Sequence, residues 1–171
     1  MPFQHESGPS NLSVIVATAR QNIISGMGWS VIGVPNGLGE LPFAYTVGLE
    51  QRCAHPEILC TGLPGDVSHA LLNRAGALVS GGAVFSEGEV RSDLLDDFRC
   101  AFRAISPHTV TSHMRIAVAV ADGRPVTALQ LVWSDEAERL PWERGYNPLF
   151  RAAQPLMYPS GSDPARQYRG A

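Results

Sequence analysis

Hydrophobic residues along this chain change period several times, and each change marks an element. Leu12, Ile15, Val16, Ala19, Ile23 and Met27 recur at helical spacing until Gly26 and Gly28 interrupt the run, which predicts a helix with one face on a sheet. Residues 1–10 are polar and read as a flexible N-terminus. Trp29 to Val34 alternates and is rich in β-branched residues, the signature of a strand, and Pro35 to Glu40 carries turn chemistry. Phe43 to Leu49 is the expected partner strand. Its Phe43, Tyr45, Val47 and Leu49 fall on one face, while Ala44, Thr46 and Gly48 leave the other open to close approach.

Ile58 to Gly62 reads as a third strand. Asp66 is placed to cap a helix whose Val67, Ala70, Leu71, Arg74 and Leu78 keep a helical period until Gly81 and Gly82. A tight hairpin is expected around Glu87 and Gly88, and a further strand from Arg99 to Ile105. Ser106 followed by Pro107 predicts a helix from His108 to about Ala121, although the β-branched stretch from Ile116 to Val120 suits a strand nearly as well. Thr127 to Trp133 is the last strand, and residues 159–171 read as a flexible tail. Helices and strands mixed without βαβ alternation argue for one α+β domain over 11–158, a mainly antiparallel sheet with two or three packed helices.

At 171 residues and 44% apolar content, the chain is long enough for one real core and short for two. The net charge of −3 and the absence of an arginine cluster argue against nucleic acid as a partner. All 13 basic residues are arginine, which removes Schiff-base and phosphate-loop lysines from the chemistry available. No run of about 18 apolar residues exists to span a bilayer, and the N-terminus lacks the pattern of a signal peptide. A cytoplasmic location is expected. Cys53, Cys60 and Cys100 form no CxxC pair, which suits a reducing compartment and buried thiols.

Candidate chemistry gathers between Pro42 and Asn73. His55 and Glu57 stand in a turn between strands, and a carboxylate beside an imidazole is a general acid–base pair, with Tyr45 able to donate to an oxyanion. Together with His69 they make two imidazoles and one carboxylate, a ligand set for a divalent metal such as zinc or iron. The catalytic expectation is therefore His55, Glu57, His69 and Tyr45, with a metal on His55, His69 and Glu57 as one form of it. The bland reading of His55-Pro56 is a turn whose histidine bonds a backbone carbonyl. Thr46, Asn73, Gln130, Trp133, Asp135 and Trp142 are the candidate ligand-binding residues, the last three bracketing a loop with two indoles and carboxylates. His108 and His113 are expected to lie outside this cluster. No nucleophile elbow or glycine-rich phosphate loop stands in the sequence, which weakens hydrolase and nucleotide readings.

Pro42 to Leu49, His55-Pro56-Glu57, Gly62-Leu63-Pro64, His69 to Asn73, Gln130 to Trp133, Pro141-Trp142 and Gln154-Pro155 follow one another in order. On these motifs the chain resembles a bacterial family catalogued as domain of unknown function 4262, over about Gly28 to Leu156. Ser134 and Glu143 depart from its pattern, which has proline and aspartate there. The resemblance marks positions and implies no mechanism. Two functions follow as expectations. One is a cleft that binds a small polar molecule or modified peptide, with acid–base or metal-assisted catalysis of the kind a tailoring enzyme performs. The other is a non-catalytic immunity-type or regulatory module that binds a protein partner.

Overall fold

The computed structural model describes residues 4–5, 9–38 and 41–157. The apolar repeat in the first segment becomes helix α1, Pro9–Ser25, which buries Ile15, Ala19 and Ile23. Two strands follow, β2 (Ser30–Leu38) and β3 (Leu41–Val47), preceded in the chain by the two-residue strand β1 (Gln4–His5). The expected turn at Pro35 and Asn36 is instead strand: β2 runs on to Leu38, with a register shift after Val34 that absorbs the proline. The short helix α2, Leu49–Cys53, precedes β4, Glu57–Thr61. Leu49 therefore leaves the strand face predicted for it and packs from a helix.

Helix α3, Gly65–Ser80, forms over the expected apolar repeat. Asp66 does not cap it. Pro64 holds the cap position without a side-chain bond, and Asp66 stands exposed in the first turn. β5 (Val90–Leu95) and β6 (Phe98–Ala104) form a hairpin turning at Asp96 and Asp97, so Glu87 and Gly88 lie in a separate turn that leads into β5. Ser106 caps the next helix by accepting a bond from the Thr109 amide. The run expected as one helix breaks at Met114 into α4, Pro107–His113, and α5, Arg115–Ala121. Strand β7, Ala128–Trp133, and helix α6, Pro148–Ala153, complete the elements.

Among the described residues the strands make one seven-stranded sheet in the order β1-β2-β3-β4-β7-β6-β5, antiparallel except at β1/β2 and β4/β7. This is a single α+β domain. Strand alternation divides the core. On one face Phe43, Tyr45 and Leu59 meet Ile15, Ala19 and Ile116 from α1 and α5. On the other, Val31, Ala44, Ile58 and Phe102 meet Leu71, Leu72 and Ala75 of α3. The small face predicted for β3 is thus filled by a helix. Close approach there depends on Gly76, where an added Cβ would sit 2.6 Å from the Trp29 ring. Each large aliphatic side chain buried in these layers contributes about 1.5–3 kcal/mol. No helix among the described residues is long and apolar enough to cross a membrane.

Candidate functional site

Glu57 opens β4 and is 1% exposed, and both of its oxygens are engaged. Thr46 Oγ1 donates at 2.7 Å and the Gly48 amide at 2.7 Å, while the Leu49 and Glu50 amides donate at 3.3 Å. Those three amides are the unsatisfied donors at the start of α2, so Glu57 caps a helix from across the turn. Gly48 makes the approach possible. Its φ is +119°, and an added Cβ would lie 2.6 Å from Ile23 Cγ1 and 2.7 Å from the Gly28 carbonyl. Thr46 also accepts from the Ile58 amide at 2.9 Å, tying the carboxylate to the β4 backbone. Burial pushes the Glu57 carboxyl up to about 7, against the four hydrogen bonds that lower it.

His55 is equally committed. Its Nδ1 bonds the Pro56 carbonyl at 2.7 Å, and its Nε2 accepts from the Phe85 amide at 2.9 Å, which assigns the proton to Nδ1. The ring is 3% exposed and packs edge-on against Phe85, which stacks on Phe102. His55 therefore joins the turn before β4 to the loop after α3, and neither ring nitrogen faces a cleft. Tyr45, expected beside it, is on the opposite sheet face, where its hydroxyl accepts from the Ile116 amide at 3.2 Å. His69 is half-buried on α3 beside Asn73, whose Oδ1 accepts from the Trp29 indole at 3.0 Å. Burial lowers the His69 imidazole from its ordinary value.

The metal set of His55, Glu57 and His69 is not assembled. Among the described residues no group of three or more His, Cys, Asp or Glu side chains is placed to hold an ion. The reason is local, because main-chain partners use both nitrogens of His55 and both oxygens of Glu57. Cys60 and Cys100 are buried, and burial pushes both thiols up to about 12, far from a thiolate nucleophile.

The remaining candidates hold a different feature. β4 and β7 pair in parallel from Glu57 to Leu59 only, and past that point the segment from Gln154 to Met157 bonds to both strands. The Gln154 side chain accepts from the Trp133 amide at 2.8 Å and donates to the Trp133 carbonyl at 2.8 Å, as a neighbouring strand would. Gln130 donates to the Pro155 carbonyl at 2.8 Å and accepts from the Met157 amide at 2.6 Å, while Thr61 donates to Pro155 at 2.9 Å. Gly62, φ +78°, admits this strap, since a Cβ there would fall 1.8 Å from the Ala153 carbonyl. Gln154-Pro155 stood among the motifs quoted from the sequence, but nothing there tied it to Gln130 and Trp133. Alternation can locate a buried glutamine, but it does not say which segment answers it.

Trp133 packs edge-on against Phe150 and donates to the Thr61 carbonyl, whereas Trp142 lies under the Arg103 guanidinium at 5.7 Å. Asp135 is fully buried and accepts from the Ala137, Arg139 and Asn147 amides and from Arg139 Nε. Burial would raise its carboxyl, but these bonds outweigh it and hold the group below the usual carboxylate range. The loop from Trp133 to Trp142 is therefore organised around an internal carboxylate. A groove that sequence reasoning missed lies elsewhere, between α3 and β5, with Val67, Ala70, Leu94 and Leu95 in its lining and a volume of about 340 Å³.

The family described as domain of unknown function (DUF4262) matches residues 23–147, and the chain belongs to it. No curated protein and no solved structure matches the chain.

Proposed function

We propose that this protein is a non-catalytic protein-binding module, the second of the two functions expected from its sequence. One observation carries the reading: the polar atoms of His55 and Glu57 that acid–base chemistry would need are spent on main-chain partners inside the core. An acid or base must reach the proton it transfers, within about 3 Å or through one water. A small-ligand cleft lined by Tyr45, His55, Glu57, His69 and Trp133 has less support, since Tyr45 is separated from α3 by the sheet.

The test uses isotope-labelled full chain and an extract divided by size. Amide shifts and the thermal midpoint should respond to the macromolecular fraction, and protease treatment of that fraction should abolish the response. A response to the small-molecule fraction alone would overturn the reading.

A further inference from the structure

We infer that the groove between α3 and β5 is a docking site for an extended peptide that carries both apolar and basic side chains on one face. The inference rests on the protein-binding reading and names the surface and the chemistry of the partner. Among the described residues β5 ends the sheet, and the main-chain groups on its outer side pair with no strand of that sheet. A peptide laid along such an edge gains main-chain hydrogen bonds, and its alternate side chains point toward one face. On that face α3 supplies the second wall. Val67 and Ala70 line it from the helix, and Leu94 and Leu95 from the strand.

Charge selects the occupant. Asp66 and Asp96 line the groove, and Glu89, Asp93 and Asp97 stand on or beside β5. Against these five carboxylates the same surface carries two guanidiniums, Arg74 and Arg91. Arg91 is held by Glu89 and Asp93, and Arg74 reaches Asp96 at 3.8 Å with both side chains at least half exposed. Such an exposed pair is weak and exchanges readily with an incoming cation. The remaining negative field favours arginine or lysine on the peptide. The register shift between Arg91 and Leu95 bends the strand, which keeps the added ladder short and leaves specificity to the groove and its rim.

The probe is a synthetic peptide of about eight residues, a strand length typical of globular sheets, with leucine and arginine taking turns at every second position and serine between them, titrated into the full chain. Saturable binding should shift the amides of Val90 to Leu95 and of the first turns of α3. Asp66→Asn with Asp96→Asn, both at exposed positions, should leave the thermal midpoint in place and weaken binding about tenfold or more, as should exchanging the arginines for glutamates. Methylating alternate peptide amides should abolish it. No saturable binding, shifts confined to another surface, or equal binding of the glutamate peptide would overturn the inference. So would a self-association that the same double variant removes, since it would assign the groove to a second copy of the chain. A macromolecular partner in the extract that shifts amides elsewhere would defeat this inference alone, whereas a response to small molecules only would defeat the reading beneath it.

Discussion

Replacing His55 with alanine should unfold much of what the core gains, although a histidine in a turn reads from sequence as dispensable. The side chain is 3% exposed, and its loss strands two backbone groups, the Phe85 amide and the Pro56 carbonyl. A buried group left without its partner costs about 1–3 kcal/mol. The space vacated against Phe85 adds a cavity term, so the total comes to roughly 3–5 kcal/mol. Domains are stable by about 5–15 kcal/mol, and this loss is a large share of that. Urea unfolding followed by tryptophan fluorescence would read it as a midpoint lowered by about 1.5–2.5 M, for a slope near 2 kcal/mol/M. A loss below about 1 kcal/mol, the value of one ordinary hydrogen bond, would refute the role assigned to His55.

Glu57 gives a pH test. Its folded carboxyl stands at about 7 against 4.5 for the free group, so its contribution is fully present below 4.5 and lost as pH rises through 7. The stability of the wild type minus that of Glu57→Gln should therefore fall by roughly 3 kcal/mol across this window, and a flat difference would contradict the assignment. Subtracting the variant also cancels His69, whose lowered imidazole makes stability rise with pH in the same region. Gln154→Ala removes both bonds to the Trp133 backbone and should cost about 2 kcal/mol while speeding hydrogen exchange at the Trp133 and Met157 amides; unchanged exchange would mean that the strap is held otherwise. Leu71→Ala, at a site 3% exposed between α3 and the sheet, should cost about 2–5 kcal/mol in denaturant unfolding, and an unchanged midpoint would place α3 elsewhere.

Periodicity made the layers of this fold legible. The repeats that became α1 and α3 each expressed one buried face, and the alternation that became β3 and β6 sorted side chains between the two faces of the sheet, while β4 and β7 are buried along their whole length. What was illegible depended on partners distant in sequence. α2 is five residues long, too short for a periodic signal, and it exists because Glu57 caps it from across the turn. α6 buries no residue, so no apolar stripe announces it. Pro35 looks like a turn until a register shift in β2 accommodates it. Among the site residues, His55 and Glu57 stood out for being ionisable between strands. The same chemistry that suits catalysis also suits holding a turn, and only the identity of the hydrogen-bond partners separates the two. Ser134 is a further case. Its amide donates to the Arg99 carbonyl and its hydroxyl accepts from the Arg99 amide, and a proline there would keep neither bond.

The most direct measurement is the nitrogen spectrum of the His55 ring in the folded, isotope-labelled chain, with hydrogen-bond scalar couplings recorded to the backbone amides. The structure predicts a proton on Nδ1, an unprotonated Nε2, and a coupling across the 2.9 Å bond from the Phe85 amide to that nitrogen. A protonated Nε2 without this coupling would contradict the claim that His55 is committed to the core, and would return the imidazole to the list of groups free to do chemistry.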